Sequence, residues 1–185
     1  SFQFIPSPNT IYKNIYKLPA AHFLEWDINE TTLKIHKYWE PKFTNEFRYF
    51  DNELNEFIIS ELKSAVNRWT LSDVPIACSL SGGIDSSTIV SLVATKTKNI
   101  KTFTLGFEDR IDIDERALAR KVSNLYGTDH HEVEIKPTDL LADLDQMLFS
   151  LDEPYAGGLP SWFVFKEMSK FVKVGLTGTG ADELF

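Results

Sequence analysis

The chain is 185 residues long, 43% hydrophobic and 25% charged, and its 19 basic against 27 acidic residues leave a formal net charge of −8. That composition supports one domain with a short attachment and a core of its own, and it excludes wholesale disorder, collagen and low-complexity fibres. A net acidic surface argues against non-specific binding to nucleic acid, one cysteine excludes an internal disulfide, and no uncharged apolar run reaches the roughly 18 residues that span a bilayer. The expectation is a soluble, cytoplasmic protein with neither nucleic acid nor membrane among its partners.

Residues 1–44 place apolar side chains among turn signals, at Lys17-Leu18-Pro19 and Asp27-Ile28-Asn29-Glu30, and Glu40-Pro41 closes the segment. Alternation in Thr32-Leu33-Lys34-Ile35-His36 predicts a strand with one buried face. A three-stranded antiparallel meander is expected here. Three strands alone are marginal in water, so 1–44 is read as a β-rich connector rather than a domain. From 47 to 69 the apolar period changes to steps of three and four, which predicts an amphipathic helix.

A strand–helix rhythm follows. The uncharged run 74–80 predicts a strand buried on both faces, 86–97 a helix, 101–107 a strand and 114–126 a helix ended by Gly127. Then come a strand over 130–135, helices over 138–151 and 160–171, and a last strand over 172–177. Strands separated by helices predict a doubly wound α/β domain over 45–185, a parallel sheet with helices on both faces. The last residues, Gly180-Ala181-Asp182-Glu183-Leu184-Phe185, read as a loop entering a helix, and the chain is expected to be a piece of a longer protein truncated at both ends.

Open parallel sheets bind ligands at the carboxyl ends of their strands. The strongest signal there is Leu80-Ser81-Gly82-Gly83-Ile84-Asp85-Ser86-Ser87. Glycines allow close backbone approach, the first helical turn offers free N–H groups, and three serines add hydroxyls, a combination suited to phosphate. Neither the Walker pattern nor the dinucleotide G-x-G-x-x-G is present. The bland reading is a glycine turn capped by Asp85. A carboxylate beside phosphates makes sense if Mg²⁺ lies between them, with a second carboxylate from another strand end. Asp182 and Glu183 are placed for that role, and helix capping by Asp182 is an equal alternative. If Asp85 and Asp182 share one metal, their side chains converge to within roughly 4–8 Å.

This loop resembles the pyrophosphate loop of the PP-loop ATP pyrophosphatase superfamily. Companion segments are similar to those of the glutamine-hydrolysing asparagine synthetases: Thr102-Phe103-Thr104-Leu105-Gly106-Phe107, Asp114-Glu115 with Gly127-Thr128-Asp129-His130-His131-Glu132, Asp152-Glu153-Pro154-Tyr155, and Thr177-Gly178-Thr179-Gly180-Ala181-Asp182-Glu183. Ile11-Tyr12-Lys13-Asn14-Ile15-Tyr16-Lys17-Leu18-Pro19 resembles the segment that links that family's glutaminase domain to its synthetase domain. The resemblance implies that Leu80, Leu105, Thr177 and Gly178 contact the adenosine of ATP. It implies that Ser81, Gly82, Gly83, Ser86 and Ser87 cradle pyrophosphate, and that Asp85 and Asp182 carry Mg²⁺. The implied activity is adenylation of a carboxylate, most simply that of aspartate, followed by amidation with ammonia from glutamine. A homodimer is left open.

Thr179 stands where the family often carries an acidic residue, so another acceptor carboxylate, as in β-lactam-type synthetases, remains an alternative. A non-catalytic nucleotide-binding module is a third. The family's glutamine-attacking cysteine belongs to an upstream domain, and a lysine it uses lies downstream. Cys78 lies inside a buried strand and reads as a core thiol. Adjacent His130 and His131 face opposite ways on a strand and cannot chelate one metal. His22 and His36 read as structural or solvated, Asn29-Glu30-Thr31 as a sequon of little weight, and Trp162, Phe163 and Phe165 as core.

Overall fold

The computed structural model describes residues 4–43, 51–107, 114–151, 153 and 158–181. The first ordered pairing is an antiparallel hairpin of β1 (His22–Asp27) and β2 (Thr32–Lys37), in register Phe23↔His36 and Trp26↔Leu33. The Asp27 carboxylate accepts the N–H groups of Asn29 and Glu30 at 2.8 and 3.0 Å, which closes the turn. Among the described residues of this segment two strands form where three were expected. Residues 4–21 make turns instead: the Thr10 hydroxyl donates to the Ile15 carbonyl at 2.8 Å, and Pro6, Pro8 and Pro19 have no N–H to give a ladder.

The remaining elements are α1 (Asp51–Trp69), β3 (Ile76–Ser79), α2 (Ile84–Ala94), β4 (Lys101–Phe107), α3 (Arg116–Tyr126), β5 (Asp129–Ile135), α4 (Pro137–Leu151), α5 (Gly158–Met168) and β6 (Val174–Leu176). The four strands β3–β6 form one parallel sheet in the order β5-β4-β3-β6. Alternation along each strand sorts side chains to two faces. Cys78, Leu80, Val90, Val93, Ile100 and Ala119 pack with Val66 of α1 on one face. Ala77, Phe103, Val164, Met168 and Val172 pack on the other, under α5. The sheet is therefore covered on both sides, as the sequence predicts. None of the described helices is long and apolar enough to cross a membrane.

Chain order creates a crevice. From β3 the chain steps through α2 and α3 to β4 and β5 in one direction, and α4 and α5 then carry it back to β6 on the other side of β3. The strand order thus reverses direction at β3, and the loops after the parallel neighbours β3 and β6 leave the same edge of the sheet, the kind of switch point at which ligand crevices open at strand carboxyl ends.

The β4–β5–α3 region is closed by polar contacts. Thr102 Oγ1 lies 2.8 Å from Thr128 Oγ1 and 2.9 Å from His130 Nδ1. Thr128 donates to Ser123 Oγ at 2.8 Å, so Thr102 donates to Thr128 and the Nδ1–H of His130 donates to Thr102. His130 Nε2 is left buried with no hydrogen-bond partner among the described residues. Burial holds this imidazole's pKa below the ordinary value. His131 points the opposite way and stacks on Phe103, with ring centroids 4.8 Å apart.

Candidate functional site

The loop that joins β3 to α2 begins where the Leu80 N–H donates to the Phe103 carbonyl at 2.8 Å, at the end of the ladder with β4. Gly82 then turns the chain at φ +85°. Gly83 is the N-cap of α2 at φ −67°, with no side-chain capping bond, and its carbonyl accepts the Ser87 N–H at 3.0 Å. Ser81 and Ser86 hold the loop shut: their hydroxyls are 2.9 Å apart, and Ser86 Oγ accepts the Ser81 N–H at 3.2 Å.

Two glycines let neighbouring elements close on this loop. A Cβ on Gly82 would lie 2.8 Å from the Ala119 nitrogen of α3, and one on Gly178, just past β6, would lie 2.8 Å from the Asp85 carbonyl carbon and the Ser86 nitrogen. Gly83 is different, because a Cβ there would meet only Ser81 Oγ, at an ordinary 3.4 Å. Gly82 and Gly178 thus set the packing of three chain segments at one point, while Gly83 leaves the face of the loop open.

A cleft of about 540 Å³ opens at this end of the sheet, lined by Leu80, Ser81, Asp85, Ser86, Leu105, Phe107, Glu115, Thr177, Gly178 and Thr179 among others. Leu80, Leu105, Thr177 and Gly178, expected around adenosine, therefore share one cavity with Ser81, Asp85 and Ser86. Thr177 and Thr179 hydroxyls are 2.8 Å apart. Ser87 does not line the cleft, and its buried hydroxyl has no partner among the described residues. A second cleft of about 630 Å³ shares Ser81, Asp85, Ser86 and Gly178, includes Gly83, and is walled by Ile58, Leu62, Ile84 and Ile89. Asp182 and Glu183, and with them the expected convergence on Asp85, lie outside the described residues. Among the described residues no three His, Cys, Asp or Glu side chains come together as a metal group.

Sequence patterns missed one wall of the cleft. Pro160, Ser161, Val164 and Phe165 of α5 line it, so Phe165, expected in the core, faces the cavity in part. Phe163 is buried as expected, and Trp162 donates its Nε1–H to Asp143 at 3.0 Å. The available signal was Gly175 of β6, whose absent Cβ would sit 2.8 Å from Met168 Sδ and from the Phe165 ring, so that α5 lies close on the sheet.

Electrostatically the cleft is one-sided. Its described lining includes the acidic residues Asp85 and Glu115 and neither lysine nor arginine. Beside it, Arg116 lies across Gly106, where a Cβ would be 2.1 Å from its Nε. Arg116 is consumed by Asp114, with Nη2–Oδ2 at 2.7 Å and Nε–Oδ1 at 2.9 Å. Those bonds hold the Asp114 carboxyl below its ordinary range. Cys78 has no exposed surface, and burial pushes its thiol up to about 12, which fits a core thiol.

The fold and the cleft define a class: a doubly wound α/β domain whose switch-point crevice is bordered by a Gly-Gly strand-to-helix loop. The asparagine synthase family model matches residues 58–185, and the chain belongs to that family. It is 36% identical, over 98% of its own length and 36% of the relative's, to the putative asparagine synthetase [glutamine-hydrolyzing] 2 of Methanocaldococcus jannaschii. It is 34% identical to asparagine synthetase [glutamine-hydrolyzing] 1 of Bacillus subtilis, over 100% of this chain and 29% of that one. The chain thus spans about a third of these relatives. Among solved structures, NMN synthetase from Francisella tularensis is similar at 15% identity and a TM-score of 0.43, over 69% of this chain and 54% of that one.

Proposed function

We propose that this chain is the ATP-binding part of the synthetase domain of an asparagine-synthetase-type amide ligase. The observation that carries the reading is the 81–86 loop, clamped between α3 and the end of β6 at the switch point, in a chain of the asparagine synthase family. In the proposed reaction a substrate carboxylate attacks the α-phosphorus of ATP, forming an acyl-adenylate and releasing pyrophosphate. Ammonia then attacks the acyl carbon, AMP leaves, and a proton is lost as the amide forms.

The chain's own groups divide the work. Free N–H groups of the first turn of α2 and the hydroxyls of Ser81 and Ser86 cradle the pyrophosphate. Leu80, Leu105, Thr177 and Gly178 flank the adenosine, and Gly83 keeps the approach to the phosphates clear. Positioning and stabilisation of developing charge are the main contributions expected of such a site.

The donor set suits Mg²⁺. Asp85 is a hard oxygen donor in a cleft that already holds hydroxyls and lacks described cations, and Asp182 would supply the second carboxylate. When bound, the ion neutralises phosphate charge and polarises the P–O bonds.

Residues 1–44 serve in this reading as the connector to a glutaminase domain that supplies ammonia. They lie outside the family match at 58–185, and Lys17 joins them to Glu153 through a 2.6 Å ion pair. Glutamine hydrolysis requires a cysteine other than Cys78, whose thiol is buried and hard to ionise. Aspartate is the acceptor of the leading reading. Thr179 supports a second one, a different carboxylate, because a neutral hydroxyl already bonded to Thr177 lines the cleft there.

The test is binding and exchange in the intact polypeptide. Mg·ATP and pyrophosphate should each raise the melting temperature, and aspartate should elicit ATP–pyrophosphate exchange. Binding without aspartate-dependent exchange would favour another acceptor; no binding of either ligand would overturn the assignment.

A further inference from the structure

We propose that Glu115 is a specificity residue for the nucleoside, its carboxylate accepting a hydrogen bond from a neutral donor on the ribose or the base; the proposal rests on the ATP-binding reading above. Glu115 lines the same cleft as Leu105 and Phe107 of β4. Its backbone is fixed as the N-cap of α3, at φ −90° and ψ −1°. The Glu115 carbonyl accepts the N–H groups of Leu118 and Ala119 at 3.0 and 2.9 Å. The same Leu118–Ala119 backbone is the surface that Gly82 packs against, so the position of Glu115 is tied to the loop.

Among the described residues its side chain has no hydrogen-bond or ion-pair partner. An N-cap residue ordinarily spends its side-chain oxygen on the first-turn amides, but Glu115 makes no such bond. The neighbouring Asp114 takes that role, accepting the Arg116 N–H at 3.0 Å and gripping the Arg116 guanidinium. Arg116 and Arg120 are themselves committed to Asp114, Glu134 and Glu132. The result is an exposed glutamate on a fixed backbone, among the residues that line a cavity whose described lining offers it no cation.

An ionised carboxylate only accepts hydrogen bonds. Triphosphate oxygens have nothing to donate and repel it. The parts of ATP with neutral donors are the ribose hydroxyls and the exocyclic amine of the base, and either would make a charge-assisted bond with Glu115. A 6-oxo base in place of the amine would turn that bond into a repulsion, so the same carboxylate can discriminate as well as bind.

The experiment titrates the intact polypeptide and its Glu115→Ala and Glu115→Gln variants with Mg·ATP, Mg·2′-deoxyATP, Mg·3′-deoxyATP, Mg·ITP and Mg·pyrophosphate. Glu115 is exposed and makes no capping bond, so melting temperatures of the free variants should match the parent. ATP should bind Glu115→Ala on the order of 10-fold more weakly, the size of one charge-assisted hydrogen bond, with pyrophosphate unchanged and Glu115→Gln in between. In the parent, 2′-deoxyATP, 3′-deoxyATP or ITP should bind weaker than ATP, and that gap should close in Glu115→Ala; which analogue shows it tells ribose from base. Unchanged discrimination in Glu115→Ala, no discrimination in the parent, or an equal loss of pyrophosphate would each overturn the proposal. A parent that binds pyrophosphate but fails these arms leaves the ATP-site reading standing; one that binds no ligand removes both.

Discussion

The two sides of the α2–α3 layer are built on opposite rules. Around β4, β5 and α3 the polar groups are largely paired: Arg120 with Glu132, Lys101 with Asp129, and the Thr102–Thr128–Ser123–His130 chain inside. At the carboxyl ends of β3, β4 and β6, Asp85 and Glu115 line a cavity whose described lining brings no cation, and α2 has no side-chain capping bond on its first turn. The first region uses its polar groups to hold the sheet; in the proposed reading the second offers them to a ligand. The glycines divide in the same way, since Gly82 and Gly178 are needed by the fold and Gly83 only by what approaches it.

The largest expected effect lies in the closed region. Phe103 has no exposed surface and contacts the rings of both His131 and Phe171. Phe103→Ala should cost about 3–5 kcal/mol by the usual scale for a buried aromatic, read by denaturant unfolding. A loss under 1 kcal/mol would show that the two core layers are not as tightly packed as drawn.

Next comes the clamp. Gly178→Val and Gly82→Val each force a side chain into backbone, and Gly82 also holds φ +85°. Each should lower stability by about 1–3 kcal/mol or more and abolish ATP binding. Gly83→Ala should instead leave the melting temperature nearly unchanged and still abolish the shift produced by Mg·pyrophosphate. If Gly83→Ala and Gly178→Val behaved alike, the division between glycines of fold and of approach would fail.

Asp85→Asn should leave stability within about 0.5 kcal/mol, as expected where no fold contact is removed, and weaken Mg²⁺-dependent ATP binding at least about 10-fold. Mg²⁺ titration of the nucleotide shift reads this directly; an unchanged metal dependence would place the ion elsewhere.

The smallest effect is a pH dependence. Burial lowers the folded-state pKa of His130 below its unfolded value near 6.5, so the unfolded chain takes up the proton first. Its contribution is full above that value and is lost as pH falls through and below it. Glu132, 3.9 Å from Nε2, opposes the shift, while Arg120 and His131 reinforce it. His130→Gln should flatten the stability profile in that window. The carboxyls of Asp129 and Glu132, lowered by Lys101 and Arg120, contribute stability that disappears only in more acid solution, so the two windows can be told apart.

Much of this was legible from local pattern. The uncharged run ending at Leu80 made β3, the apolar steps from Leu54 to Val66 made α1, and Gly127 ended α3 at φ +64°, a conformation that costs other residues more. The serine–glycine loop after β3 could be picked out as a candidate site because its parts are consecutive. The expected third N-terminal strand failed because alternation reports which side chains could face a core, and says nothing of a backbone whose donors are missing at three prolines. The wall from α5 was not legible either, since a helix of mixed apolar residues does not announce which ones meet a cavity.

What the sequence by itself determined is the succession of elements and the chemistry at their ends, because helix and strand periods, caps and turn glycines act within a few residues. Tertiary structure alone decided which ends meet. Strand order β5-β4-β3-β6 brings Gly178 onto the first turn of α2, 92 positions from Ser86 (178 − 86), and sets Glu115 beside the loop with its carboxylate unspent. Such meetings depend on which faces bury together, a property of the whole packed sheet.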